Sequence, residues 1–123
     1  MEFDALSKRV IGLAIDVHRE LGPGLLESTY EACFAHELRS CGITCATQVP
    51  LPVSYKGLDL DCGYRVDVLV EDSLIVELKS VNRLERLHEA QLLTYLKLAG
   101  LRTGLLINFN ARVLRNGIKR LVA

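Results

Sequence analysis

The stretch Tyr64-Arg65-Val66-Asp67-Val68-Leu69-Val70-Glu71-Asp72-Ser73-Leu74-Ile75-Val76-Glu77-Leu78-Lys79 reads as two short strands joined by a polar turn. Strand side chains alternate between faces, so Val66, Val68 and Val70 share one face while Arg65, Asp67 and Leu69 share the other. The second run divides into Leu74, Val76 and Leu78 against Ile75, Glu77 and Lys79. A three-residue loop over Glu71-Asp72-Ser73 keeps both aliphatic sides on one buried face; a two-residue loop sends them to opposite faces. In the odd register Val70 pairs with Leu74 and Asp67 lies opposite Glu77. Directly opposed Cβ atoms are roughly 4.5–5.5 Å apart, and like charges placed there destabilise a sheet. Two facing carboxylates with a lysine beside them suggest a bound cation and metal-assisted chemistry. The competing reading is a surface hairpin with a cross-strand salt bridge, a feature that contributes only about 0–1 kcal/mol.

The 123 residues fit one α/β domain spanning the whole chain, and half of them are hydrophobic, enough for a real core. No apolar run reaches the roughly 18 residues of a membrane span, so no membrane partner is expected. The segment Met1-Glu2-Phe3-Asp4 lacks the basic start and apolar stretch of a secretory signal, and a cytoplasmic protein is the expectation. Fifteen basic residues balance fifteen acidic ones, whereas a tight stand-alone nucleic-acid binder usually carries a basic excess. Nucleic-acid contact therefore needs a local patch. Arg112, Arg115, Lys119 and Arg120 form one candidate, Arg83 and Arg86 a second, and solvated surface charge is the alternative for both. Cys33, Cys41, Cys45 and Cys62 contain no C-x-x-C pair, and with His18, His36 and His88 they complete no zinc spacing. They read as free thiols serving as small hydrophobes.

Outward from the hairpin, helical periodicity runs from about Asp4 to Leu21 through Leu6, Val10, Leu13, Ala14 and Val17, and Gly22-Pro23-Gly24 breaks it. A second helix is expected from about Leu25 to Ser40, with Tyr30, Phe34, Leu38 and Cys41 on one stripe and Gly42 as its stop. Thr44 to Tyr55 reads as a strand whose Pro50 and Pro52 place it at an edge or a bend. Lys56-Gly57 then turns the chain toward Leu58-Asp59-Leu60. A third helix is expected from about Leu87 to Leu98, closed by Gly100, and Thr103 to Phe109 reads as a buried strand. In the tail, Asn116-Gly117 between two short runs predicts a small hairpin over Val113 to Val122.

Further residues carry chemistry. On the third helix Leu92, Leu96, Leu98 and Ala99 share an apolar face, and His88, Gln91 and Tyr95 fall within it. Buried unpaired polar groups cost about 1–3 kcal/mol each, so these are either hydrogen-bonded core residues or the lining of a pocket at the carboxylates. His88 alone reads as a satisfied structural histidine. Glu27 stands in the first turn of the second helix, where the dipole favours an acid; its functional reading is a third acidic ligand above the sheet. Asp59 and Asp61 flank a turn and read as solvated.

Gly24-x-x-Glu27-x-x-Tyr30 resembles the signature of the bacterial GxxExxY protein family. Tyr64-Arg65-x-Asp67, Val76-Glu77-Leu78-Lys79, His88-Glu89-Ala90-Gln91-x-x-x-Tyr95 and Gly104-Leu105-Leu106-Ile107-Asn108-Phe109 resemble its other blocks, and the likeness spans nearly the whole chain. That family is placed in the PD-(D/E)XK nuclease superfamily. The resemblance implies a restriction-endonuclease-like α/β core, a mixed sheet flanked by helices in the order αβββαβ, here with an extra N-terminal helix and a C-terminal hairpin. It implies Asp67 and Glu77 as acidic ligands of Mg²⁺ or Mn²⁺, with the Leu78 carbonyl, and Glu27 as the helical acid that completes the site. Lys79 corresponds to the superfamily's lysine, and Gln91 and Tyr95 to a Q-x-x-x-Y element beside the active site. Val66 stands before Asp67 where the superfamily's name has proline.

Two functions follow as expectations. One is a Mg²⁺-dependent nuclease or nuclease-like phosphodiesterase acting on nucleic acid. The other is a catalytically silent binding or assembly module of the same fold that acts through a protein or nucleic-acid partner, or as a homo-oligomer, consistent with the neutral charge and small size.

Overall fold

The alternation in Arg65–Lys79 builds the middle of a five-stranded sheet. The computed structural model describes residues 4–123. Helices α1 (Ala5–Leu21) and α2 (Glu27–Ser40) lead into β1 (Cys45–Pro50), β2 (Val53–Tyr55), β3 (Leu58–Leu60), β4 (Arg65–Val70) and β5 (Leu74–Lys79). Helix α3 (Arg86–Ala99), β6 (Thr103–Asn108), a 3₁₀ turn (Leu114–Gly117) and β7 (Ile118–Val122) complete the chain. The main sheet has the order β1-β4-β5-β6-β7. Only β5 and β6 run parallel, joined by α3 as a crossover helix. The run α2, β1, β4, β5, α3, β6 is the expected αβββαβ core, with α1 preceding it.

Helices cover both sheet faces. On one face Val10 and Ala14 of α1 and Tyr30, Phe34 and Leu38 of α2 pack on Val68, Val70, Val76, Leu105 and Ile107. On the other, Leu92, Tyr95 and Leu96 of α3 pack on Ile75 and Leu106. Strand β5 is consequently buried on both sides from Leu74 to Leu78, as a central strand between two helical layers must be. Gly104 permits the close approach of α3: a Cβ there would lie 2.9 Å from Leu92 Cδ1. Asp4 caps α1 by accepting the Ser7 N–H at 2.8 Å.

The predicted register of the hairpin is the observed one, with Val70 opposite Leu74 and Val68 opposite Val76 around the Glu71-Asp72-Ser73 loop. Five expectations need correction. Val66 does not share a cluster with Val68 and Val70; it packs on the α3 side with Ile75 and Leu51. Strand β4 turns over between Val66 and Val68, opposite Gln48, whose φ of 52° takes it out of the extended conformation. The predicted strand over Thr44 to Tyr55 is two strands. Pro52 cannot donate to a ladder, and Leu51 leaves the strand to donate its N–H to the Tyr64 carbonyl at 3.0 Å.

The tail does not fold back on itself at Asn116-Gly117. Those residues end the 3₁₀ turn, where Gly117 is pressed so close to the Asn108 carbonyl that a Cβ would lie 2.7 Å from it. Strand β7 instead pairs antiparallel with β6, from Ile107 opposite Ile118 to Thr103 opposite Val122. On α3, Leu98 and Ala99 lie past the covered face and are exposed. Among the cysteines, all free, Cys41 and Cys62 are exposed rather than buried. Among the described residues no helix is long and apolar enough to cross a membrane.

Candidate active site

The β4–β5 ladder runs from Val70 opposite Leu74 to Val68 opposite Val76, one step short of Asp67 and Glu77. There the strands part and side chains replace main-chain partners. Glu77 Oε2 accepts the Asp67 N–H at 2.8 Å, and Asp67 Oδ2 accepts the Leu78 N–H at 2.9 Å. Each carboxylate therefore caps backbone of the facing strand, which holds the pair together. Glu77 is only 4% exposed. Burial first, and then the Asp67 charge, push its pKa from 4.5 up to about 8. The Asp67 N–H and the Lys79 charge pull it back, and the Glu27 charge adds to the rise.

Two residues at this site have no part in the sequence-based reading. Gln48 Nε2 donates to Asp67 Oδ1 at 3.3 Å and to Glu31 Oε1, linking β1, β4 and α2. A positive φ at a glutamine is uncommon, and alternation along β1 gives no sign of it. Glu31 leaves a trace: Glu27 and Glu31 are four apart on one helix, a like-charge spacing that destabilises a helix unless something answers it.

The start of α2 is held by Tyr30. Its ring is fully buried and stacked on Phe109, with centroids 4.5 Å apart and planes at 12°. Its hydroxyl donates to the Gly22 carbonyl and accepts the Leu25 N–H at 3.1 Å. Gly24, at φ 95°, lets the connecting loop close over this hydroxyl. Glu27 is thereby set above the end of β5, where Oε2 accepts the Ser80 N–H at 3.3 Å and Ser80 Oγ donates to the Leu25 carbonyl at 2.7 Å. Asn108 fixes the following loop: Oδ1 accepts the Val81 N–H at 3.1 Å and Nδ2 donates to the Val81 carbonyl at 2.9 Å. Lys79 ends β5 half-buried, opposite Asn108 in the parallel ladder. Among the described residues it forms no ion pair with Asp67 or Glu77, and its charge is felt at Glu77 without contact.

Helix α3 contributes from the other face. Gln91 Nε2 donates to the Tyr95 hydroxyl at 3.2 Å. Burial raises the Tyr95 pKa, and the charges of Glu77 and Asp67 raise it further, so this hydroxyl stays protonated beside the carboxylates. Gln91 reaches the site through Tyr95. His88 is structural: its Nδ1 accepts the Glu85 N–H at 3.0 Å and caps α3. Asp59 in β3 and Asp61 just after it are exposed, and Asp61 accepts the Gly63 N–H at 3.0 Å.

Among the described residues no three His, Cys, Asp or Glu side chains gather closely enough to hold a metal ion. Asp67 and Glu77 form a pair, with Glu27 standing off at Ser80. The donor chemistry still suits a hard divalent cation. Two oxygen ligands from carboxylates leave the remaining positions to main-chain carbonyls and water, the arrangement Mg²⁺ favours. The proton held by Glu77 is what a cation between the two carboxylates would displace. Of the two basic clusters read from the sequence, Arg83 and Lys119 line one cleft of about 240 Å³ with Asn108 and Asn116, near the strand end of Lys79, while Lys119 pairs with Glu89 at 2.9 Å and Arg120 with Asp4 at 3.1 Å.

A mixed sheet flanked by helices, with an aspartate, a glutamate and a lysine on its parted central hairpin, defines a nuclease-like α/β protein. The chain belongs to the PD-(D/E)XK nuclease superfamily, whose family model matches residues 4–121. No curated protein and no solved structure matches it. Nucleases of that superfamily generally use divalent metals such as Mg²⁺ or Mn²⁺.

Proposed function

We propose that this chain is a metal-dependent nuclease of the GxxExxY kind, a single catalytic domain that hydrolyses nucleic-acid phosphodiester bonds. The observation that carries this reading is the crossed capping of Asp67 and Glu77. Two carboxylates converge at the parted end of the central hairpin, one of them buried beside its like-charged partner. Asp67, Glu77 and the Leu78 carbonyl would hold Mg²⁺ or Mn²⁺, with Glu27 joining directly or through water. Bound there, the ion supplies a Lewis acid for a phosphoryl oxygen and acidifies water at neutral pH. Lys79 orients the attacking water or offsets developing negative charge. The Tyr95 hydroxyl, aligned by Gln91, positions a phosphate oxygen or the lysine. Gln48 holds Asp67 in place. Arg83, with Lys119 once a phosphate replaces its partly exposed Glu89 partner, supplies local positive charge for the phosphate backbone despite the neutral net charge.

Calorimetric titration with Mn²⁺ and cleavage assays on labelled single-stranded and duplex DNA and RNA test this. Wild-type protein should bind the ion and cut at least one substrate. Asp67→Ala and Lys79→Ala should stay folded by circular dichroism and lose cleavage by about a hundredfold or more, as expected when a transition-state charge partner is removed. Equal cleavage by both variants defeats the proposal.

A second reading has its own observation. The β2–β3 hairpin exposes Tyr55, Leu58 and Leu60, a surface suited to a partner chain in a silent assembly module. A stable hetero-complex in native mass spectrometry, with no Mn²⁺ bound, favours it.

A further inference from the structure

An apolar groove of about 510 Å³ lies between α3 and the β2–β3 hairpin, and Tyr95 in its wall is near enough to Glu77 and Asp67 to feel their charges. Val53, Tyr64, Leu87 and Tyr95 supply its apolar surface, and His88, Gln91 and Thr94 supply polar groups. Tyr64 is 44% exposed, and its ring is tilted 57° to that of Tyr95 with centroids 6.1 Å apart. Leu87 is 75% exposed. The hairpin extends this surface: Val53 pairs with Leu60 and Tyr55 with Leu58, which puts all four apolar side chains on the groove side, and Ser54 and Asp59 on the other.

Two connections tie the groove to the active site. Tyr95 lines the groove, and its hydroxyl senses both Glu77 and Asp67. Tyr64 immediately precedes β4, the strand that carries Asp67. A strand that reaches the carboxylates can therefore extend past Tyr95 into the groove. On the nuclease reading, on which this inference rests, that strand is a nucleic acid, and its largest apolar surfaces are the base faces. A base also has a polar edge, for which the Thr94 hydroxyl, the Gln91 amide oxygen and the His88 Nε2 are available, since His88 Nδ1 and Gln91 Nε2 are already engaged. Among the described residues no lysine or arginine lines the groove, so it does not track the phosphate backbone. Bases within a duplex are stacked and paired and cannot enter such a groove without being extruded.

We infer that the groove between α3 and the β2–β3 hairpin is a base-binding subsite, with Tyr64 as its stacking surface, and that the substrate is unpaired nucleic acid. Aromatic stacking tolerates any base and suits recognition of single strands without reading sequence. The hairpin, a two-stranded sheet of its own, forms the outer wall against which the base is enclosed.

The test is fluorescence anisotropy in EDTA, which separates binding from cleavage, on the full chain with three labelled probes. These are a short single-stranded oligodeoxynucleotide, the same strand annealed to its complement, and an abasic strand of equal length. The single strand should bind about tenfold more tightly than the duplex or the abasic strand, the size of one lost base stack. Tyr64→Ala should remove that preference, leaving abasic binding unchanged, and Tyr64→Phe should keep it. Equal affinity for all three probes, with Mg²⁺-dependent cleavage intact, overturns the inference and leaves the nuclease reading standing. Absence of both binding and cleavage overturns the nuclease reading with it. A dimer in sedimentation that Leu87→Ser dissolves assigns the groove to self-association and also overturns the inference.

Discussion

Asp67 and Glu77 each satisfy backbone of the opposite strand, the Asp67 N–H on Glu77 Oε2 at 2.8 Å and the Leu78 N–H on Asp67 Oδ2 at 2.9 Å. The pair is thus built into the sheet as the last rung of its central hairpin. A site of this kind is pre-organised by the fold, and its electrostatic cost is borne by the folded state.

That cost predicts a pH dependence. Glu77 has its pKa raised from 4.5 to about 8, so the folded protein binds this proton more tightly than the unfolded chain does. The associated stability is full below pH about 4.5, declines as pH rises, and is lost above about 8. Its upper bound is on the order of 5 kcal/mol. Urea denaturation of metal-free protein across this range should show the decline. Glu77→Gln, neutral throughout, should flatten it, and an undiminished slope in that variant would rule out Glu77 as its source.

Gln48 predicts a separation of stability from function. Its φ of 52° suits glycine better than glutamine, so Gln48→Gly should be neutral or stabilising by up to about 1 kcal/mol. The same change removes the hydrogen bond to Asp67 Oδ1 and should weaken Mn²⁺ binding in calorimetry. Gln48→Val, a β-branched residue forced to positive φ, should destabilise by about 1–3 kcal/mol. Parallel loss of stability and ion binding in Gln48→Gly would mean that the side chain serves only the fold.

The central hairpin was legible because period-two alternation and one buried face leave a single acceptable register, and with it the facing of Asp67 and Glu77. Tyr30, Phe34 and Leu38 followed equally from helical spacing. Gln48 was not legible, since nothing local marks a left-handed residue inside a strand that otherwise alternates. Its consequence, the turning over of β4 at Val66, was hidden with it. Asn116-Gly117 misled for a related reason: the dipeptide signals a turn, but whether the next strand pairs backward or joins β6 depends on packing against Asn108 and Ala111, outside the turn itself. Gln91 and Tyr95 were visible as polar residues on an apolar helix face, although only the fold shows that Gln91 acts through Tyr95.

Tyr30 links stability to the placement of Glu27. Tyr30→Phe keeps the stack on Phe109 but strands the Gly22 carbonyl and the Leu25 N–H, at a cost of about 1–3 kcal/mol. Tyr30→Ala empties a fully buried site and should cost about 3–5 kcal/mol. Chemical denaturation measures both. If cleavage also falls in Tyr30→Phe at temperatures where it is fully folded, the loop from Gly22 to Leu25 is what carries Glu27 to the site.

Gly104 sets how closely α3, with Gln91 and Tyr95, can approach the sheet. A Cβ there would meet Leu92 Cδ1 at 2.9 Å and its Cγ at 3.1 Å. Gly104→Ala should therefore overpack the interface and destabilise by about 1–3 kcal/mol. Leu92 is fully buried, so Leu92→Ala alone should cost about 2–5 kcal/mol through the cavity it leaves. Combined, the two changes relieve each other, because the added methyl enters space the leucine vacated, and the double variant should be more stable than the sum of the single effects by at least about 1 kcal/mol. A double-mutant cycle by urea denaturation measures that difference. Strict additivity would mean that Gly104 is required for its backbone conformation rather than for the close seat of α3.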